Sequence, residues 1–389
     1  MIDSCNNSDA PRPDRLGGLV LRLRLVSGLV LLVYVAMHLT NLAFGLQSIA
    51  AMEAARELLL KPWTGMPGTL LLGGAALIHC GLGLMAIAAR RSLTLSRTDW
   101  VQGALGLATA PLLLNHVLLL KFLPFLDGEF KPNYALVLSG SWRLALGYAL
   151  QQVLVVVIVW IHASIGLHSW LVLKPYWPRV GPLVLPLLFV VPILSLLGFV
   201  SGGKEALTRL DGDPAWQQQI SAAMGRAVAA KADLDAIQFW VFLIYGVAAL
   251  LAFGVLVWRV LRQRGGPTTV RYDGDMTARG RQQLSILEIS KLNFIPHAAV
   301  CGGRGRCGTC LVSVTSDPDG LSPIGEVEGQ TLTRVHATRG QRLACQAHVC
   351  APAISVIRLR PAYADASTAR DAALLDTPPA TVLQDAQHG

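Results

Sequence analysis

Six long apolar stretches fill most of the first two thirds of the chain and constrain its fold more than any other feature. Each is long enough to cross the roughly 30 Å hydrocarbon layer of a bilayer, which takes about 20 helical residues. Only 15% of the 389 residues are charged and 53% are hydrophobic, whereas about a quarter of the residues in a soluble protein are charged. The pattern predicts six transmembrane helices, over residues 26–46, 68–89, 100–122, 144–173, 181–203 and 238–261.

Basic residues indicate how such a bundle would lie in the membrane. They precede the first span and follow the second, fourth and sixth, which puts them on one side if the helices alternate. Cytoplasmic loops carry an excess of Lys and Arg, so we expect both termini in the cytoplasm. The formal net charge of +9 then reflects topology, and the expected partner is membrane lipid and not nucleic acid. The basic residues are Arg12, Arg15, Arg22, Arg24, Arg90, Arg91, Arg97, Lys174, Arg179, Arg259, Arg262 and Arg264.

A group of cysteines marks the polar C-terminal part. Residues 301–310 read CGGRGRCGTC, and a further cysteine follows in RLACQ. The chain has seven cysteines, and an odd count on the cytoplasmic side argues against a disulfide framework. A zinc site is an alternative, but zinc sites of four thiolates usually use two C-x₂-C pairs. This C-x₅-C-x₂-C…C run is close to that of [2Fe–2S] ferredoxins, so we expect Cys301, Cys307, Cys310 and Cys345 to bind a [2Fe–2S] cluster.

The residues around these cysteines predict a small domain. Four glycines, at 302, 303, 305 and 308, allow the turns by which backbone N–H groups point at cluster sulfurs. The stretches TTVRYDG, CLVSVTS and AISVIRLR alternate as strands do, and LSILEISKLN reads as a short helix. The predicted fold class is therefore a polytopic α-helical membrane bundle followed by a small α+β ferredoxin domain of the β-grasp type. His297, His336 and His348 are expected at its surface.

The predicted boundaries follow from these patterns. A basic N-terminus covers residues 1–25, the six-helix anchor 26–262, the ferredoxin domain 268–362 and a linker-like tail 363–389. Between spans five and six, the stretch AWQQQISAAMGRAVAAKADLDAI reads as an amphipathic helix. It is either a lid on the outer face or a plain connector.

Histidines occur in four consecutive predicted spans. Polar side chains inside a membrane are costly and are therefore functional candidates. Counting along alternating spans puts His38 and His116 toward the outer half, His79 near the centre and His162 on the inner half. Because b-type haem takes paired axial histidines, these four are candidate haem ligands, pairing as an outer and an inner set. Other pairings fit almost as well, and histidines that only pack helices around a quinone, or around nothing, are the alternative.

Glycines accompany two of these histidines. Gly83 follows His79 by four residues and Gly166 follows His162 by four, and residues four apart share a helix face. A small residue on that face would let a flat ring approach. A fifth histidine, His168, lies close to the predicted cytoplasmic surface and is the weakest candidate.

Four stretches together resemble one known family. They are RLRLVSGLVLLVYVAMHLTNLAFGL, WIHASIGLHSWLVLKPYW, PLLFVVPILSLLGFVSGGKEA and the CGGRGRCGTC…QRLAC motif. Over about residues 18–375 the chain is similar to the N-terminal half of bacterial membrane-bound class III adenylate cyclases, in which a succinate-dehydrogenase-like six-helix anchor precedes a [2Fe–2S] ferredoxin. The resemblance implies a bacterial inner-membrane protein. By resemblance to such ferredoxins, Cys301 and Cys307 would bind one iron, and Cys310 and Cys345 the other.

The sequence thus favours a membrane-bound electron-transfer protein. We expect single electrons to pass between a membrane haem b or quinone and the cytoplasmic [2Fe–2S] domain, with a quinone or a redox protein as partner. No catalytic residue is predicted, since the residues after 362 read as a linker and not as a cyclase domain. The alternative is a redox-sensing module of an adenylate cyclase system whose catalytic domain acts in trans from another chain or is lost. One or two haems, and a homodimer, stay open.

Overall fold

The computed structural model describes residues 15–368 apart from 91, 94, 95, 263 and 264, and side chains from residue 18 onward. The described part is mostly helical and ends in a small mixed sheet, which confirms the predicted fold class. The first fourteen residues and the tail after 368, which hold the first part of the predicted basic N-terminus (1–25) and most of the predicted linker, lie outside the described residues. Residues 15–25 form the beginning of helix α1 (Arg15–Ala43).

Six helices in the described part are long and apolar enough to cross a membrane, as predicted. They are α1, α4, α5 with its continuation to residue 126, α8, α9 and α11. The helices of the bundle are α1 (Arg15–Ala43), α2 (Ile49–Leu59), α3 (Lys61–Thr64), α4 (Met66–Ala88), α5 (Arg97–Val117), α6 (Leu123–Leu126), α7 (Tyr134–Ser139), α8 (Leu146–Leu171), α9 (Trp177–Gly212), α10 (Pro214–Ala229) and α11 (Lys231–Leu261).

The long helices pack around α1 and α5. Helix α1 contacts α4 and α9, and α5 contacts α8. Where α1 and α9 cross, glycines let the two backbones touch: a Cβ placed on Gly198 would lie only 2.0 Å from the carbonyl oxygen of Leu42. Such small-residue crossings drive helix association in membranes, where lipid offers no hydrophobic gain.

One end of the bundle, which we call the far end, is covered by short helices. Asp213 caps α10 by accepting hydrogen bonds from the backbone N–H groups of Ala215 and Trp216. Ile220 of α10 is buried against Leu123 and Phe130. The predicted amphipathic segment therefore holds two pieces, helix α10 packed over this end of the bundle and the first turns of α11.

The C-terminal domain lies at the opposite end, which we call the ferredoxin end. Its five strands are β1 (Pro267–Arg271), β2 (Thr277–Arg281), β3 (Leu311–Val314), β4 (Gln341–Leu343) and β5 (Ala353–Arg358). They form one sheet in the order β2-β1-β5-β3-β4, in which only β1 and β5 are parallel.

Two helices pack against this sheet. Helix α12 (Ile286–Leu292) begins with a capping box, in which Ser285 and Glu288 satisfy each other's backbone N–H groups. Helix α13 (Glu326–Arg334) lies next to β4. The core between sheet and helices is apolar and includes Val270, Ile286, Ile289, Leu343 and Ile354.

Candidate functional site

The four predicted cluster cysteines converge at one end of the sheet. Cys301, Cys307 and Cys310 lie in the loop between α12 and β3, which we call the cluster loop (301–310), and Cys345 follows β4. All four are buried. The sulfur atoms of Cys310 and Cys345 are 3.3 Å apart, and the thiols of Cys301 and Cys307 are hydrogen-bonded to each other. The loop therefore brings the sulfurs together as two neighbouring pairs.

Glycines give the cluster loop its shape. Gly302, Gly303, Gly305 and Gly308 all have φ between +66° and +87°, the left-handed region that side chains other than glycine disfavour. At Gly308 a Cβ would also lie 2.6 Å from Val335. The role that the sequence predicts for these glycines is thus seen in the backbone.

Backbone donors surround the sulfur of Cys301. The Cys307 thiol and the backbone N–H groups of Arg304, Arg306 and Cys307 all bond to it, and together they lower the pKa of Cys301 below its usual value, although burial acts in the opposite direction. Hydrogen bonds to a charged form favour that form. The loop therefore favours an anionic sulfur at Cys301, the form that binds iron, whereas the neighbouring thiol and burial raise the pKa values of Cys307 and Cys310.

Of the three histidines predicted at the domain surface, only His336 is exposed, and His297 and His348 are partly buried. His297 shares a hydrogen bond of 3.1 Å with Ser290, and its ring contacts Tyr272 edge-on. Burial lowers its pKa to about 4. The prediction was wrong because His297 follows α12 on a loop that folds back over the domain core.

The four candidate histidines of the bundle meet as two pairs. The rings of His79 on α4 and His162 on α8 are 6.2 Å apart, centre to centre, and nearly perpendicular. The rings of His38 on α1 and His116 on α5 are 5.9 Å apart. These are the inner and outer pairs that the depth count favours, each joining different helices.

The inner pair is oriented by backbone carbonyls. The Nδ1 atom of His162 lies 2.9 Å from the carbonyl oxygen of Gln102. The Nδ1 atom of His79 lies 3.2 Å from the carbonyl oxygen of Arg24 and 3.4 Å from the hydroxyl of Ser27. A ring whose Nδ1–H donates to a carbonyl has its Nε2 lone pair free for a metal.

The outer pair is held differently. The Nδ1 atoms of both His38 and His116 are buried without a hydrogen-bond partner among the described residues. The ring of Tyr34 stacks nearly parallel to that of His38, with centres 5.9 Å apart. His168, the fifth histidine, lies apart from both pairs, with its ring against Trp177.

Two glycines that the sequence did not single out touch the inner pair. A Cβ on Gly28 of α1 would lie 2.9 Å from the Cε1 atom of His79, and a Cβ on Gly106 of α5 would lie 2.7 Å from that of His162. By contrast, a Cβ on Gly83 would meet open space. Each inner ring therefore lies against a glycine of a neighbouring helix and not one of its own helix.

Comparison with known proteins bears on the C-terminal domain. Residues 271–350 match the family model of the 2Fe-2S iron-sulfur cluster binding domain. Chlorosome protein I of Chlorobaculum tepidum is 32% identical over 87 residues, which are 22% of this chain and 36% of that protein. The chain thus covers about a third of the length of that relative. No solved structure matches the present chain. The family match includes all four clustered cysteines, so this chain carries a 2Fe-2S ferredoxin domain behind six apolar helices.

Proposed function

We propose that the protein passes single electrons between b-type haem or quinone in its helix bundle and a [2Fe–2S] cluster held by Cys301, Cys307, Cys310 and Cys345. The ferredoxin domain supports an iron-sulfur electron-transfer role in a membrane-anchored protein. We further propose that the domain faces the cytoplasm of a bacterial inner membrane. When bound, haem and a [2Fe–2S] cluster each accept and release one electron at a time.

The geometry of the inner histidine pair carries the haem proposal. Bonds from a metal to an imidazole nitrogen are about 2 Å long, so two rings on one iron have centres about 6 Å apart. The rings of His79 and His162 are 6.2 Å apart. Their Nδ1 atoms are occupied by backbone carbonyls, which orients each ring and leaves Nε2 for the iron.

The outer pair supports a second haem. The rings of His38 and His116 are separated by 5.9 Å, again the spacing that one iron between them requires. The two pairs lie at different depths of the bundle and both join α4 or α1 to a helix of the α5–α8 side. Two haems placed at these two depths would let electrons cross the bilayer toward the ferredoxin end. A quinone or a redox protein would exchange electrons at either end of this path.

The test is an optical spectrum of the purified, detergent-solubilised chain, reduced minus oxidised, with quantification of extracted haem. We expect sharp b-type bands and two haems per chain. Replacing His79 or His162 by Ala removes one haem, and replacing His38 or His116 removes the other. His168→Ala serves as the matched control and keeps both, because that ring lies against Trp177 and outside the pairs.

Two other spectra would change the conclusion. A chain with only the broad bleaching of an iron-sulfur cluster would refute the haem proposal and reduce the bundle to a quinone site or an anchor. The redox-sensing module of a cyclase system would then be the better reading. A chain whose cluster absorbance survives Cys345→Ser would refute the proposed cluster ligands.

A further inference from the structure

The cluster loop is in direct contact with the helix bundle. Arg304, between the first two cysteines of the loop, donates a hydrogen bond of 2.6 Å to Asp99 at the beginning of α5. The same Nη2 atom lies 3.4 Å from the side-chain oxygen of Gln102. The Asp99 side chain is only 7% exposed. This is therefore a partly buried, charge-assisted contact, since the Arg304 side chain is 27% exposed, and charge-assisted hydrogen bonds are roughly twice as strong as neutral ones.

The Asp99 side chain is positioned for this contact by Ser96 at the beginning of α5. Ser96 caps α5 by accepting the backbone N–H of Asp99, and its hydroxyl donates to the Asp99 carboxylate at 2.7 Å. A carboxylate in the first helical turn is also favoured by the helix dipole. The cluster loop approaches so closely that a Cβ on Gly302 would lie 3.0 Å from the same carboxylate.

Two further contacts fix the orientation of the domain. Ser92, in the connection between α4 and α5, donates a hydrogen bond of 2.6 Å to Glu288 of α12. On the other side, α13 contacts α1, and a Cβ on Gly18 would lie 3.1 Å from the Glu326 carboxylate. The ferredoxin domain thus contacts the bundle at three places: α1, α5 and the connection before α5. Together these three contacts define its orientation on the bundle.

The docked cluster loop is covered. Every residue of 301–310 is buried or partly buried, and none is exposed. The rate of electron transfer falls steeply with distance, so an efficient partner must approach this loop. Gln102 connects the two sites, since its side chain faces Arg304 and its carbonyl oxygen is the hydrogen-bond acceptor of His162.

We propose that the Asp99–Arg304 contact docks the cluster loop on the helix bundle and makes the membrane part of the same chain the direct redox partner of the ferredoxin domain. This inference rests on the proposed electron-transfer function. Asp99 is a positioning residue in this scheme. It acts through Arg304 and Gln102 and does not bind the cluster.

The docking can be measured as a distance in the full, cluster-loaded chain. Leu93 and Leu292 are exposed side chains close to the Ser92–Glu288 contact, one in each part of the protein. Nitroxides on cysteines introduced at these two positions, with Cys5, Cys80 and Cys350 replaced by Ser, report the separation by pulsed electron double resonance. The cluster stays oxidised, so that it does not contribute to the signal.

We expect one narrow distance distribution for the parent chain. Asp99→Arg puts like charges together and gives a broad, longer distribution. The control Thr98→Arg, on the exposed side of the same turn, leaves it narrow. Exchanging the charges, Asp99→Arg with Arg304→Asp, restores the narrow distribution. Electron transfer from reduced haem to the cluster slows by about ten-fold or more in Asp99→Arg, because loss of the charge pair weakens docking and the distance between haem and cluster then increases.

Two results of the distance measurement would overturn the inference. One is a distribution that stays narrow in Asp99→Arg. The other is a charge exchange that fails to restore it while cluster absorbance is intact. The distance measurement needs no haem, so a chain without haem would refute the proposed function and still decide the docking. Undocking that leaves the transfer rate unchanged would overturn the redox part of the inference.

Discussion

Gly28 and Gly106 each lie against an inner histidine ring, and their lack of a side chain is what gives the rings room. Replacing Gly106 by Leu would push the His162 ring away from the Gln102 carbonyl, because even a Cβ there would come within 2.7 Å of the ring. We expect the inner haem to be lost and the outer one retained. Haem content and the reduced-minus-oxidised spectrum of the variant measure this.

Gly103→Leu is the matched control for that variant. It lies one turn earlier on α5 and a Cβ there would meet no atom within 4 Å, so haem content stays at the parental value. A Gly106→Leu chain that binds as much haem as the Gly103→Leu chain would contradict the role given to Gly106.

Single residues differ in how far the sequence predicts them. The cluster cysteines follow from local spacing, and the four histidines stand out because each is polar in an apolar span. Gly28 and Gly106 are different, since their role depends on which helix faces which histidine. A glycine in a membrane helix has no local pattern that reveals its neighbour. His297 was misplaced for the same reason, because its burial comes from residues distant in sequence.

Helix α13 is tied to β4 by a buried ion pair. Glu328, only 1% exposed, accepts hydrogen bonds of 2.8 and 2.9 Å from the Arg342 guanidinium and one of 2.9 Å from the backbone N–H of Leu343. Glu328→Ala leaves a buried arginine unpaired, which costs about 3–5 kcal/mol. We expect a lower denaturant midpoint for bleaching of the cluster in the full chain, because β4 leads directly to Cys345.

Two further variants separate the ion pair from general damage to α13. Gln330→Ala, on the exposed side of the same helix, leaves the midpoint almost unchanged. Glu328→Ala combined with Arg342→Met recovers part of the loss, since no buried charge is left without a partner. An unchanged midpoint in Glu328→Ala would show that the ion pair does not hold β4 in place.

Among the helices and strands, those with an apolar pattern are predicted from the sequence more reliably than those made of polar residues. The six spans, α12 and the three apolar strands β1, β3 and β5 were predicted from hydrophobic patterns. The strands β2 (TARGR) and β4 (QRL) were not, because they are short and polar and are specified by pairing with β1 and β3. Helix α9 runs on to Gly212, beyond the predicted end at 203; its polar last turns carry the Glu205–Arg209 ion pair, and the backbone N–H of Asp213 bonds to the Arg209 carbonyl at its end.

For the molecule as a whole, the distribution of charge favours one orientation. Basic residues lie at both ends of the bundle, but at the far end several are engaged by acidic partners, as in Arg226 with Asp127 at 3.1 Å. Among the described residues, no ion pair engages Arg97, Arg179 or Arg259 at the ferredoxin end.

We therefore expect the ferredoxin end to face the cytoplasm. In inverted inner-membrane vesicles, an added protease should remove an epitope tag placed after Gly389, and in right-side-out vesicles the tag should survive. A second tag inserted at Ala230, between α10 and α11, is the matched control and should show the opposite pattern, because the far end would then face outward. If protease removed the C-terminal tag from right-side-out vesicles, the ferredoxin end would face outward, contrary to this expectation. The cluster would then exchange electrons on the outer side of the membrane. Electrons would pass from the cluster toward the cytoplasm through haem held by the four histidines.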